Sequence, residues 1–192
     1  MVSVYEPWFR ILKIVEAIEE EHHKLPQIYV AGDGPAPNMM MERTTCIQKH
    51  IATKVSVGAI DIIVSDTHVT NEIKLLRRDM ETIVWAIDNW RIEPNSVNSW
   101  RRISQEEKEK WRNLGESVKK LEAAHHKLPE TPVGEIGFTV KMMLERTTCI
   151  QKEIIKMVRQ DLIKYLAYNQ HINEEIELLE KDLRILKEEL GR

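Results

Sequence analysis

Apolar positions recur along this chain at steps of three and four, the spacing that lines one side of an α-helix. From Trp8 to Leu25 the residues Trp8, Ile11, Leu12, Val15, Ile18 and Leu25 form one stripe, with Pro7 suited to a first helical turn and Pro26 marking the end. A second run starts near Met39 and carries Met40, Thr44, Ile47, Ile51 and Val55 on one side. It is expected to end near Ser65 to His68, where small polar residues can cap a new start. A third run, Ile73, Leu76, Met80, Ile83, Ile87 and Trp90, has the alternating spacing of a narrow, coiled-coil-like seam. The three stripes then return: Trp111, Leu114, Val118, Leu121 and Leu128, behind a capping box of Ser104 and Glu107; Met143, Thr147, Ile150, Ile154 and Val158, ending near Asn169 to Asn173; and Ile176, Leu179, Leu183, Leu186 and Leu190. No strand-like alternation competes, so the pattern predicts an all-α protein.

The recurrence extends to residue identity. HHKLP at His22 to Pro26 returns at His125 to Pro129, and 125 − 22 = 103. MMMERTTCIQK returns as MMLERTTCIQK at the same offset, since 149 − 46 = 103 for the two cysteines. The register runs without a gap from Trp8 and Trp111, through His68 and His171, to Asp79 and Asp182. The expectation is a tandem duplication of a three-helix unit with pseudo-two-fold symmetry, residues 1–90 and 111–192, joined by a Trp- and Arg-containing linker at 91–110. Among the retained residues are His23, Arg43, Cys46 and Lys49, matched by His126, Arg146, Cys149 and Lys152. Those in the second helix cover all its sides, so that helix is either enclosed all round or presents a polar side that forms a site.

Composition narrows the class. With 42% apolar and 31% charged residues the chain can bury a sizeable core, and it is neither collagen-like nor a disulfide scaffold. The 28 basic and 31 acidic residues give a formal charge of −3, which does not favour a diffuse grip on nucleic acid or an anionic membrane. No apolar run approaches the roughly 18 residues of a membrane span, and the start, MVSVYEPWFR, lacks signal-peptide features. Two cysteines in a Lys- and Glu-rich chain fit a reducing compartment. The expected setting is cytoplasmic or within a virion-like assembly.

The sharpest chemical pattern is Glu19-x-x-His22 and Glu122-x-x-His125, joined by Glu42 and Glu145. Residues three apart on a helix point the same way and can share a metal pair. Over these six residues the chain resembles the ferritin-like proteins, although ExxH here precedes the lone Glu. The resemblance implies a helical iron- or zinc-binding protein or oxidoreductase. The competing reading makes His22 and His125 core histidines satisfied by a hydrogen bond, with Glu42 paired to Arg43 or Lys49. On a helical wheel Glu42 lies nearly opposite the Met40, Ile47 and Ile51 stripe. Cys46 and Cys149 have no CxxC spacing and are expected as small buried hydrophobes. Arg43 with His50 resembles the Arg and His pair of HEPN-type helical ribonucleases, but Glu153 stands where a second His50 would fall.

The linker interleaves Trp90, Trp100, Arg101, Arg102 and Trp111, a composition that suits a protein interface better than single-stranded nucleic acid. With no complete catalytic set, the leading expectation is a non-enzymatic structural or interaction protein that binds itself or other protein subunits, such as a coat or filament subunit, without a cofactor.

Overall fold

Seven α-helices and one 3-10 turn make up this computed structural model, which describes residues 5–28, 36–65, 67–89, 103–128 and 135–191; no strand occurs among them. The helices are α1 (Glu6–His23), α2 (Ala36–Ser56), the single turn α3 (Ile62–Ser65), α4 (Thr67–Asn89), α5 (Gln105–His126), α6 (Glu135–Arg159) and α7 (Gln170–Leu190), with the 3-10 turn at Ile163–Tyr168. None is long and apolar enough to cross a membrane. The linker residues Trp90, Trp100, Arg101 and Arg102 lie outside the described residues. Trp111, grouped with them as an interface residue, is instead 0% exposed, because it heads the apolar stripe of α5.

Local sequence explains the starts. Pro7 sits in the first turn of α1, where a missing N–H costs nothing. Ser104 caps α5, its hydroxyl oxygen accepting from the Glu107 N–H at 3.1 Å. Asn169 caps α7 in the same way through the Ile172 N–H at 3.0 Å.

The ends of the second helices come earlier than the apolar pattern suggests. Helix α2 stops at Ser56 because Gly58 adopts φ of +71°, which lets the Ala59 N–H reach back to the Lys54 carbonyl at 2.8 Å. Helix α6 stops at Arg159 in the same fashion, with Asp161 at φ of 55° and the Leu162 N–H bonded to the Met157 carbonyl at 2.9 Å.

Four helices form the centre, α1 against α2, α5 against α6, α1 against α5 and α2 against α6, while α4 packs on α2 and α7 on α6. The inner stripes of α1 (Trp8, Ile11, Val15, Ile18) and α5 (Trp111, Leu114, Val118, Leu121) are almost wholly buried. The seams of α4 and α7 therefore face chiefly the second helices, with fewer contacts to each other.

Three neighbours leave α2 almost no solvent face. Met40, Met41, Thr44, Thr45, Ile47, Gln48, Ile51 and Ala52 are all buried. Where α2 crosses α6, Gln48 Nε2 donates to Gln151 Oε1 at 3.0 Å and Gln151 Nε2 donates to Gln48 Oε1 at 3.0 Å. The same side-chain nitrogens reach Thr148 Oγ1 at 3.5 Å and Thr45 Oγ1 at 3.3 Å.

Candidate metal centre

His22 closes the buried stripe of α1 and is 5% exposed, while its neighbour His23 turns outward. Both reach the start of α2. Glu42 Oε2 lies 2.8 Å from His23 Nε2 and 3.4 Å from His22 Nε2, the latter without hydrogen-bond geometry. On the other side of the carboxylate, Cys46 Sγ donates to Glu42 Oε1 at 3.5 Å. One turn of α2 thus aims a carboxylate at two imidazoles and a thiol.

The later half has the same arrangement. Glu145 Oε2 lies 3.1 Å from His125 Nε2 and 3.2 Å from His126 Nε2, and Cys149 Sγ donates to Glu145 Oε1 at 3.6 Å. His125 is 1% exposed, and neither of its ring nitrogens has a hydrogen-bond partner among the described residues.

Beyond each cysteine lies a further set of donors from the third helix. Cys46, His68 and Glu72 form one group and Cys149, His171 and Glu175 another; within each, the donor atoms lie within 4.8 Å of one another, as they do in His22, His23, Glu42 and in His125, His126, Glu145. Spacing of i to i+4 puts His68 with Glu72, and Glu42 with Cys46, on one helix face.

The six residues of the dimetal pattern therefore separate. His22 and Glu42 belong to one group and His125 and Glu145 to another, and no group among the described residues mixes the two halves. Glu19 and Glu122 join neither group; they accept from Lys49 at 2.9 Å and from Lys152 at 2.8 Å. The pairing of Glu42 with Arg43 or Lys49 is replaced by pairing with histidine. Glu42 looked misplaced on a single apolar wheel because α2 has several packed sides, and the one carrying Glu42 meets α1. Nor is His22 or His125 satisfied through Nε2 by a hydrogen bond.

Cys46 and Cys149 are reduced and half-buried, and the carboxylate beside each distinguishes them from inert core residues. Sequence reasoning passed over His68, Glu72, His171 and Glu175 as donors. The signal was available in the register of 103, since 68 + 103 = 171 and 72 + 103 = 175.

Arg43 Nε stands 3.4 Å from Asp79 Oδ2, and its Nη1 3.9 Å from Glu72 Oε2. Arg146 faces Asp182 at 3.5 Å and Glu175 at 3.9 Å. This engagement takes Arg43 away from the ribonuclease-like pairing with His50, whose ring instead lies 5.4 Å from that of His68.

Burial holds His22 and His125 below the ordinary imidazole range, against the pull of Glu42 and Glu145, so both favour the neutral form that binds metals. Burial pushes the Glu42 carboxyl up, but the His23 hydrogen bond, the His22 ring and the Cys46 thiol outweigh it, and the group stays below its usual value. Burial, reinforced by the charges of Glu42 and Glu72, pushes the Cys46 thiol up to about 12. Cys149 is raised to about 12 by burial with Glu175 and Glu145. Burial raises Glu72 and Glu175 too, with Arg43 and Arg146 opposing.

Comparison with known proteins supplies no function, since no protein-family model, curated protein or solved structure matches the chain.

Proposed function

We propose that this is a helical metal-binding protein, holding one zinc(II)- or iron(II)-class ion at His22, His23 and Glu42 and another at His125, His126 and Glu145. Its halves are then duplicated three-helix units about a local two-fold axis near the Gln48 and Gln151 pair. The observation that carries the reading is a single carboxylate oxygen facing two imidazole Nε2 atoms, at 3.4 and 2.8 Å for Glu42 and at 3.1 and 3.2 Å for Glu145. Two imidazoles and a carboxylate suit zinc or non-haem iron and leave coordination positions for water or an outside donor. A purely structural histidine in such a site finds a hydrogen bond, because a buried unmet nitrogen costs about 1–3 kcal/mol. His22 Nε2 and His125 Nε2 have none among the described residues.

The self-assembly reading, with its cytoplasmic or virion-like setting, draws on the narrow seams of α4 and α7, which pack chiefly on α2 and α6, on the retained helical faces, on Trp90, Trp100, Arg101 and Arg102, which lie outside the described residues, and on Trp111, which is enclosed. The metal reading takes precedence because its donor groups recur in the same arrangement in both halves.

Chelator-treated protein titrated with zinc(II) is expected to take up the ion and to unfold at higher temperature. A ligand at about 100 times its dissociation constant adds roughly 2.7 kcal/mol. The His22→Ala/His125→Ala variant should keep its helix content and lose the rise. If the wild-type chain takes up no ion, this function is wrong.

A further inference from the structure

The donors beyond each cysteine extend the proposed centre. We propose that Cys46, His68 and Glu72, and equally Cys149, His171 and Glu175, hold a second, zinc(II)-class cation in each half, joined to the first through the Glu42 or Glu145 carboxylate. The inference rests on the metal reading above and turns two single sites into two carboxylate-bridged pairs, four ions per chain.

Glu42 is the geometric reason. Its Oε2 faces His22 and His23, and its Oε1 takes the Cys46 thiol at 3.5 Å. A carboxylate with one oxygen in each group spans both, as in carboxylate-bridged dimetal bundles. The second group supplies Sγ, an imidazole nitrogen and a carboxylate oxygen within 4.8 Å of one another. In a tetrahedral site with donors about 2.0 to 2.3 Å from the ion, neighbouring donors stand about 3.3 to 3.8 Å apart, so the group has to draw in by up to about 1 to 1.5 Å. Adding Glu42 Oε1 gives four donors, the number that closes a tetrahedral zinc site, whereas the first group has three and stays open. Thiolate with imidazole favours zinc over magnesium or calcium.

An independent observation points the same way. Glu72 is 9% exposed and Glu175 8%, yet Oε2 of each has no hydrogen-bond partner among the described residues. Arg43 Nη1 and Arg146 Nε form ion pairs with these oxygens, but only at 3.9 Å. An ion pair this long, with no hydrogen bond, offsets only part of the cost of burying the carboxylate, and a metal cation in closer contact would offset more of it. Binding would release each thiol proton to the solvent, and the resulting thiolate would ligate the ion.

The test uses the full chain, stripped with chelator and loaded separately with zinc(II) and cobalt(II). Metal analysis should give four ions per chain, and the cobalt form should show a thiolate-to-metal charge-transfer band in the near ultraviolet. Cys46→Ser/Cys149→Ser should abolish the band and lower the count to two. His68→Ala/His171→Ala, which changes only exposed rings, should also lower the count to two with helix content unchanged. Two ions per wild-type chain without the band would overturn the second site and leave the first intact. No uptake at all would remove both.

Discussion

Asp79 lies 3.4 Å from Arg43 Nε, but burial raises its carboxyl to about 6, so the guanidinium only partly offsets the loss of water. The sign of the pH dependence follows. With an ordinary value of 3.8, the folded protein holds the Asp79 proton more tightly than the unfolded chain does. Its contribution to stability is therefore complete below pH 3.8 and is lost as pH rises through about 6. Asp79→Asn removes this titration. Urea unfolding should show wild-type stability, relative to the variant, falling as pH rises from about 4 to about 7, from the unfolded value through the folded one; a constant difference would contradict the assignment. His22 was legible as a special position because it continues the apolar stripe of α1, where a polar ring stands out. Cys46 was not, since a lone cysteine in a helix looks like any small apolar residue until the Glu42 carboxylate is placed against it.

At the level of elements, helix existence was easy to see and helix ends were not. Periodicity recovered α1, α2, α4, α5, α6 and α7 because each carries a continuous apolar stripe, even though α2 buries other sides as well. It overran the end of α2 because Ile60 and Ile63 extend the apolar pattern past Gly58, although the chain turns there. Only a residue tolerant of positive φ permits that turn, and Gly58 has one. A methyl group at Gly58 would meet Tyr5 only at ordinary contact distance, 3.6 Å, so the cost of Gly58→Ala is backbone strain alone. Thermal or urea unfolding should register a loss of about 1 kcal/mol. A neutral or stabilising effect would mean that the helix end relaxes without the left-handed residue.

Across the whole molecule the least legible feature is the junction of α2 with α6. Gln48 and Gln151 sit in the same IQK segment of the repeated motif, and nothing in a one-dimensional pattern says that two equivalent residues touch. In the structure each amide donates to the other at 3.0 Å, and both side chains are 0% exposed. Arg77 and Glu180 are likewise 180 − 77 = 103 apart and meet at 2.8 Å between α4 and α7. Contact between equivalent positions is expected near the local two-fold axis proposed above. A reciprocal buried pair also couples its members. Gln48→Leu leaves the Gln151 carbonyl oxygen unmet and its amide with Thr45 Oγ1 alone, at a cost of about 1–3 kcal/mol, and Gln151→Leu should cost the same within about 0.5 kcal/mol. The double Gln48→Leu/Gln151→Leu variant replaces both partners by apolar groups, and so should lose less than the sum by at least about 1 kcal/mol. A urea-denaturation cycle over the four proteins measures both quantities. Unequal single costs would argue against the two-fold relation, whereas equal but additive costs would show that the amides act separately and that some other contact aligns the halves.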